Sequence, residues 1–191
     1  MLPLDESASL FVPSTLNGTS SPFSLKMAWN SEGLGILLDV RGKTQPAAGR
    51  RSDLKNSDLA AFFVDTRHTA NVHRATEYCT SCIVLPCDED ADDRPSIQFP
   101  DIAQQRSVRR DRNEDKCRLQ TTNHSDGYSL EVWLPALLLP GFQEIADIGH
   151  IGFYCVVSDT EVGALPFSIG DDFPVGYDPS TWIQLELKAE A

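Results

Sequence analysis

Apolar and polar residues alternate along much of this chain, and a period of two is typical of strands that bury one face. The clearest alternation runs through residues 126–135, where Pro135 ends the strand because proline has no backbone N–H to donate. A short helical turn and a second strand, residues 148–159, are predicted to follow. The alternating apolar positions of the first strand are Tyr128, Leu130, Val132 and Leu134.

Further strands are predicted on both sides of this motif. Residues 25–29 and 34–40 form a hairpin around the turn 30–33, whose glycine tolerates the turn geometry. Strands that recur with turn signals, without a convincing helix longer than two turns, favour an all-β fold: an antiparallel β-sandwich with short helical turns. The other predicted strands cover residues 58–67, 74–85, 97–103, 117–121, 165–169 and 182–187, with loops at 42–56, 87–96 and 104–116.

The length and the uneven start of the chain predict its domain organisation. The 191 residues suit one domain. Residues 1–22 are rich in Pro, Ser, Thr and Gly, and we predict an irregular N-terminal segment there with an edge strand at 10–12. Residues 23–191 are predicted to form a single β-sandwich domain.

The charge of the chain narrows the possible partners. There are 16 basic and 28 acidic residues, a net charge of −12. A chain this acidic repels phosphate backbones, so we expect no nucleic-acid partner. A basic run contains Arg106, Arg109, Arg110 and Arg112, but acidic residues follow it at once, and we interpret it as a solvated loop.

Hydropathy and cysteine content predict the compartment. Apolar runs of about 18 residues, the length that spans a membrane, do not occur. The N-terminal residues lack the basic and apolar regions of a secretory signal. The five cysteines are an odd number and fit a reducing compartment better than a disulfide framework. We therefore expect a cytoplasmic protein without a membrane partner.

Four pieces of the chain resemble the family 9 carbohydrate-binding module and the wider group of DOMON-like β-sandwiches. They are residues 27–39, 56–67, 126–135 and 151–159. The chain is also similar to uncharacterised bacterial proteins of the same sandwich, and the matching residues are Asp65-Thr-Arg67, His73-Arg74, Tyr78, Cys79, Phe173-Pro174 and Asp178-Pro-Ser-x-Trp182. The resemblance implies the β-sandwich fold. Because the sugar-binding members grip sugar between exposed aromatic side chains, it also implies a non-catalytic module for a saccharide or another polar ligand.

A polar group at one strand end is the first candidate for ligand binding. Asp65, Arg67, Asn71, His73 and Arg74 lie within ten residues of one another. Arginine offers a planar fork of donors to an anion or a carbonyl, and histidine exchanges protons near neutral pH. The alternative is a corner latch, in which Asp65 and Arg67 satisfy loop backbone groups.

Aromatic side chains are the second candidates, because a sugar ring stacks its C–H face on them. Trp29 is in phase with Leu25 and Met27 and is predicted to lie in the core. Trp133 is out of phase with its apolar strand neighbours and is predicted to face the other side of its sheet. Trp182 and Tyr177 are rim candidates, although Trp182 could instead plug the end of the sandwich.

Cysteine and histidine residues raise the question of zinc. Cys79, Cys82, Cys87 and His73 have suitable ligand atoms. Residues three apart on a strand point to opposite faces, so Cys79 and Cys82 are predicted to face away from each other. We therefore predict no metal site and interpret these thiols as buried or unreactive.

The acidic segment 88–93 resembles a calcium loop only in part. Its first, third and fifth positions are acidic, but the sixth is Asp93 rather than Gly and the twelfth is Phe99 rather than Glu. A solvated loop is favoured, with loose calcium binding left open. No cofactor is predicted.

Three functions remain open from the sequence. The first is non-catalytic recognition of a saccharide or polar small molecule, without catalytic residues. The second is a protein–protein adaptor, including a homodimer formed through an exposed sheet face or edge. The third is a hydrolase that uses His73 and nearby carboxylates.

Overall fold

Two antiparallel sheets stack face to face in this computed structural model, which describes residues 4–13, 21–69, 71–107, 112–170 and 172–188. The first sheet has the strand order β1-β2-β3-β8-β7. The predicted all-β sandwich is thus confirmed. The strands of this sheet are β1 (Ser9–Leu10), β2 (Phe23–Asn30), β3 (Gly33–Arg41), β7 (Arg118–His124) and β8 (Gly127–Pro135).

The second sheet has the order β10-β9-β4-β5-β6, and a further strand, β11, pairs with β9 beside β10. All of its pairings are antiparallel. Its strands are β4 (Leu59–Asp65), β5 (Cys79–Asp88), β6 (Arg94–Gln98), β9 (His150–Asp159), β10 (Gly163–Pro166) and β11 (Ile183–Glu186).

The main core lies between the two sheets and follows the period of two. Alternate residues of β3 and β8 point inward and are buried, as the pattern predicts. From the second sheet, Phe62 and Phe153 meet with ring centroids 6.4 Å apart, and Phe167 contacts Phe153 edge-on at 5.6 Å. Trp29 packs against this core, also as predicted.

Three short helical elements follow β8, where the sequence predicts a helical turn, and other single 3₁₀ turns lie at Glu6–Ala8, Leu54–Asn56, Glu89–Ala91, Glu114–Lys116 and Pro179–Thr181. Pro135 is followed by single 3₁₀ turns at Ala136–Leu138 and Phe142–Glu144 and by the four-residue helix α1 (Ile145–Ile148). Gly149 ends α1 with φ of 79°, a left-handed conformation that glycine adopts without strain. Throughout the described residues, helices long and apolar enough to cross a membrane do not occur.

A second apolar cluster covers the outer surface of the second sheet, which we call the covered face. Loop segments before β5, after β6 and before β11 pack on it. Trp182 donates its indole N–H to the carbonyl of Val175 at 2.8 Å, and its ring lies 5.5 Å from that of Phe63. The buried members of the cluster are Ala75, Cys79, Ile102, Tyr154, Val175 and Trp182.

The outer surface of the first sheet is different, because its side chains retain solvent exposure; we call it the open face. It runs across β2, β3, β8 and β7 and carries mostly polar residues. Its members are Ser24, Lys26, Ala28, Gly35, Leu37, Asp39, Ser129, Glu131, Trp133, Arg118, Gln120 and Thr122.

Three charged side chains, the buried ionic cluster, lie where β3 and β9 end and β4 begins. The ammonium of Lys43 is 3.0 Å from a carboxylate oxygen of Asp58 and 2.7 Å from one of Asp159, and all three side chains are at most 1% exposed. Backbone N–H groups of Thr160 and Ala48 also donate to Asp58, at 2.7 and 3.0 Å. Residues 42–56 are mainly a loop, as predicted, but this loop contains a buried charge at Lys43.

Several predicted strand limits are wrong. The predicted strand 74–85 begins only at Cys79, because the Cys79 N–H bonds to the Thr76 carbonyl in a turn. The predicted loop 87–96 is mostly a hairpin: β5 reaches Asp88, which is buried and accepts from Arg51, and β6 starts at Arg94. The strand predicted at 97–103 corresponds to β6, which ends at Gln98.

Candidate functional site

The polar residues predicted near the end of β4 form local contacts with the protein itself. Asp65 is buried and accepts from the backbone N–H of Arg67 at 3.0 Å. The Arg67 guanidinium forms an ion pair with Glu144 and lies 4.1 Å from the ring centre of Tyr78. These contacts match the alternative of a corner latch between the β4 end and the segment before α1.

His73 belongs to a separate group on the neighbouring loops. Its Nδ1 is 3.1 Å from a carboxylate oxygen of Asp178 and 2.9 Å from the hydroxyl of Ser180. The Ser180 hydroxyl in turn donates to Asp178 at 2.7 Å. Burial alone would raise the pKa of Asp178, but the hydrogen bonds from Ser180 and His73 lower it below its ordinary value.

This Ser–His–Asp group lacks the arrangement of a nucleophilic triad. In a triad the carboxylate and the serine contact opposite nitrogens of the ring, so that the ring can take the serine proton. Here both contact Nδ1, and the His73 side chain is 72% exposed. The arrangement ties two loops together and does not activate Ser180, so it gives no support to the predicted hydrolase.

The other two predicted residues of this corner are Arg74 and Asn71. Arg74 donates to the backbone carbonyl of Gln104, and Asn71 is exposed. A cleft near the corner is lined by Glu77, Ser81 and Arg112 among others, but its volume of about 10 Å³ admits only a water molecule.

The two rim aromatics have different environments. Trp182 is only 3% exposed and is part of the covered face, so it lies on the outer surface of the second sheet and neither on a rim nor at the end of the sandwich. Its burial results from loop packing that local periodicity does not encode. Tyr177 is 42% exposed, next to Asp178.

The cysteines have the orientation that the strand period predicts. Cys79 belongs to the covered face and Cys82 to the core between the sheets, so the two thiols point to opposite faces. Burial raises the pKa of the Cys79 thiol to about 12, which keeps it protonated. In the described ranges, groups of three or more His, Cys, Asp or Glu residues suited to a metal ion are not found.

The acidic segment after β5 makes hydrogen bonds to the protein. Asp88 accepts from the backbone N–H of Arg51 at 3.1 Å, and Asp90 accepts from the hydroxyl of Ser52 at 2.7 Å. These contacts hold the 50–52 segment against the β5–β6 hairpin. Loose calcium binding at this segment stays a prediction.

Trp133 lies on the open face, as its phase predicts, and glycines make room for its ring. A Cβ atom on Gly33 would lie 2.9 Å from Cζ2 of the indole, and one on Gly35 would lie 3.7 Å from Cε3. The indole therefore extends over β3, where two alternate positions carry no side chain. The result is a half-buried aromatic ring on a polar sheet surface.

Three polar side chains surround this ring, and the sequence analysis missed them. Arg118 lies directly opposite Trp133 on β7, and Gln120 lies opposite Glu131 in the next row. Within the described residues, these three side chains make no hydrogen bond or ion pair. Their donors and acceptors are therefore available to a ligand. Glu131 is two residues before Trp133 on β8, and Arg118 and Gln120 are out of phase with Leu119 and Thr121 on β7; this alternation was the signal that could have revealed them.

Trp133 and the corner residues do not form one surface. Trp133 lies on β8 of the first sheet, whereas Asp65 ends β4 of the second sheet. The candidate ligand-binding set of the sequence therefore divides into an open aromatic site and a group of loop contacts.

Known proteins match this chain in structure and not in sequence. No protein-family model matches it, and no curated protein sequence does. A family 9 carbohydrate-binding module from Caldicellulosiruptor kristjanssonii, in complex with cellotriose, aligns over 98% of this chain and 88% of its own, with a TM-score of 0.63 and 15% identity. A structure of such a module from the same organism in complex with glucose aligns over 91% and 80%, with a TM-score of 0.61 and 15% identity. The fold is that of a family 9 carbohydrate-binding module, as the resemblance predicts.

Proposed function

We propose that this protein is a non-catalytic binding module that recognises a saccharide on its open face. The observation that carries the proposal is the position of Trp133, a half-buried ring on a polar sheet surface with glycines beneath it. Such a ring offers a flat apolar surface to the C–H face of a sugar. The solved structures of the same fold that hold glucose and cellotriose support this ligand class.

The polar neighbours of Trp133 supply the hydrogen bonds of this site. The Glu131 carboxylate accepts from sugar hydroxyls, and the Arg118 guanidinium and Gln120 amide donate to them. Charge-assisted hydrogen bonds of this kind are stronger than neutral ones. Because none of the three is engaged within the described chain, a ligand does not have to displace an internal contact.

The alternative of a protein–protein adaptor receives less support from the same surface. Protein interfaces are depleted in carboxylates at their centre. Here Glu131 lies beside Trp133 on β8. The open face is therefore better suited to a hydroxyl-rich ligand than to an apolar partner surface.

Replacement of Trp133 tests the proposal. We expect W133A to weaken binding of the saccharide at least about tenfold, which corresponds to about 1.4 kcal/mol, and W133F to retain part of the affinity. A glycan array identifies the ligand, and isothermal calorimetry measures it.

A matched pair of glutamine variants separates the open face from the other sheet. Gln120 lies on the open face, and Gln184 is an exposed strand residue of the second sheet. We expect Q120A to weaken binding and Q184A to leave it unchanged. Unchanged affinity in W133A, or absence of binding to every saccharide tested, would overturn the proposal.

A further inference from the structure

We propose that this protein forms a symmetric homodimer through an exposed loop of the covered face, residues 172–178, which we call the aromatic loop. Phe173 and Tyr177 form the apolar part of the contact, and Asp172 of each protomer pairs with Arg106 of the other. The inference concerns a different surface from the open face and does not depend on the proposed function.

Exposed apolar side chains are concentrated in the aromatic loop. Four large hydrophobic residues are exposed in the described part of the chain, and two of them are Phe173, at 53%, and Tyr177, at 42%. A single exposed apolar residue is ordinary, but two within five residues form a patch of the kind that marks an interaction site. Phenylalanine and tyrosine are also among the residue types that are enriched in protein interfaces.

Hydrogen bonds hold the backbone of the aromatic loop in place. Tyr177 and Asp178 both donate their backbone N–H to the carbonyl of Pro174, at 3.1 and 2.9 Å. The indole N–H of the buried Trp182 donates to the carbonyl of Val175 and fixes the middle of the loop. A loop that is already ordered loses little conformational entropy on association, so more of the contact energy of its exposed rings contributes to binding.

Two further loops lie next to the aromatic loop on the same face. His73, in the loop before β5, contacts Asp178 at 3.1 Å and so joins that loop to the aromatic loop. On its other side, the carbonyl of Ala75 accepts from the backbone N–H of Arg106, in the loop after β6, at 2.9 Å. The aromatic loop, the loop before β5 and the loop after β6 therefore follow one another across the covered face.

Unpaired charges of opposite sign lie at the two ends of this surface. Asp172 at one end and Arg106 at the other are exposed, and neither side chain makes a hydrogen bond or an ion pair within the described residues. Between them, the loop before β5 carries one exposed acid and one exposed base, Glu77 and Arg74, whose charges balance. The surface therefore has a negative end, a neutral middle and a positive end.

A two-fold axis makes such a surface complementary to itself. In an isologous contact the same surface meets its own copy after half a turn, so each end meets the opposite end of the other protomer. Asp172 of each protomer then faces Arg106 of the other, and the contact forms twice. Because two copies with a net charge of −12 repel each other at long range, association needs a local complementarity of this kind.

The size and position of the contact predict a reversible dimer with free saccharide sites. A contact made by three loops is at the small end of specific interfaces, those that bury less than about 1,200 Å². The covered face and the open face are the outer surfaces of different sheets. A dimer formed through the covered face therefore leaves both open faces accessible.

Sedimentation velocity from micromolar to millimolar protein tests the inference. We expect a monomer–dimer equilibrium that F173A and Y177A each weaken at least about tenfold, because every substitution removes two rings from a symmetric contact. F11A is the matched control, since Phe11 is 65% exposed but follows the edge strand of the first sheet. It should leave the equilibrium unchanged.

Charge reversal tests the pairing of Asp172 with Arg106. D172R and R106D each place like charges opposite one another in their own dimers, so we expect each variant alone to dimerise at least about tenfold more weakly than the wild type. An equimolar mixture should form a heterodimer, because one contact then joins the two introduced charges and the other joins two native charges. Both side chains are exposed, so the variants should fold, which circular dichroism verifies.

A mixture of D172R with R94D is the control for the heterodimer. Arg94 is 75% exposed, and its reversal changes the net charge by the same amount at a different place. We expect no heterodimer in this mixture, because the charge introduced by D172R still faces the native Arg106.

Three results would overturn the inference. The first is a protein that stays monomeric at millimolar concentration, in which case the aromatic loop serves a different partner. The second is a dimer that F173A and Y177A leave intact or that W133A disrupts, which places the contact elsewhere. The third is the absence of a heterodimer between D172R and R106D. Saccharide titrations of W133A are independent of all three, so the proposed function stands or falls separately.

Discussion

At the scale of single residues, the buried ionic cluster has the largest consequence for stability. The Lys43 side chain is 1% exposed and has carboxylate oxygens of both Asp58 and Asp159 within 3.0 Å of its ammonium. Burial alone would lower the pKa of Lys43, but the hydrogen bonds to the two carboxylates raise it above its ordinary value. The lysine therefore stays charged in the folded protein.

Replacing Lys43 by methionine tests this role. K43M keeps the aliphatic stem but leaves two buried carboxylates without their cation, so we expect a loss of about 3–5 kcal/mol in the free energy of unfolding. Urea denaturation measures it. The matched control is K26M, because Lys26 pairs with Glu6, whose side chain is 90% exposed, and surface pairs contribute at most about 1 kcal/mol. Equal losses in the two variants would contradict the assignment.

Predictions about single residues succeed where the alternation along a strand alone decides which face a side chain takes. The outward position of Trp133 and the opposite directions of Cys79 and Cys82 follow from the period of two. Lys43 could not be found in this way, because its partner Asp159 is 116 positions away along the chain. A lysine among polar residues is ordinarily solvated, and only the tertiary fold shows that this one is buried.

At the scale of elements, the two sheets differ in what lies on their outer surfaces. Loops cover the second sheet, with Trp182 at their centre, whereas the first sheet exposes Trp133. The same residue type thus serves packing on one sheet and, in our proposal, ligand binding on the other.

Alanine variants of the two tryptophans should therefore have opposite effects. We expect W182A to lower the free energy of unfolding by about 3–5 kcal/mol, because it leaves a cavity and an unpaired carbonyl at Val175. Its saccharide affinity, measured well below its melting temperature, should be unchanged. W133A should lose affinity with little change in stability. Loss of binding in W182A at a temperature where it is folded would contradict this separation.

Element existence could be predicted from the sequence better than element limits. The alternation through β3 and β8 identifies both strands, since each buries one face against the core. The start of β5 was missed because Thr76 and Tyr78 continue the alternation, yet a turn to the Thr76 carbonyl ends the segment before Cys79. The β5–β6 hairpin was missed because Asp88, an acidic residue in an acidic segment, is expected to be solvated, whereas in the structure it accepts a hydrogen bond from Arg51.

At the scale of the whole molecule, the fold and the ligand have different kinds of support. Two solved structures at 15% identity establish the sandwich. The proposed ligand depends on side chains that the fold does not dictate, namely Trp133 and its polar neighbours. The sequence resemblance predicted the correct fold, whereas the polar group at the β4 corner was predicted from residue spacing, and its Asp65 and Arg67 side chains bind groups of the protein itself.

The stability of the whole sandwich should depend on pH through the buried ionic cluster. Burial alone would raise the pKa of Asp58, but hydrogen bonds from Thr160, Ala48 and Lys43 lower it below its ordinary value. A carboxyl group with a lowered folded-state pKa stabilises fully above its unfolded value of about 3.9, and the contribution is lost as the pH falls through the folded value. For Lys43, with a raised pKa, the contribution is complete below about pH 10 and is lost above the folded value.

We therefore expect the melting temperature to be nearly constant between about pH 5 and 9 and to fall below about pH 4. Calorimetric or fluorescence melting over this range measures it. D58N should melt lower at neutral pH and lose less on acidification, because the group that must be protonated is already neutral. D115N removes an exposed carboxylate and should keep the wild-type profile. The ionic cluster joins the two sheets where β3 and β9 end, so its protonation should weaken the whole sandwich. If the melting temperature of D58N falls as steeply with acid as that of the wild type, other carboxyl groups control acid unfolding.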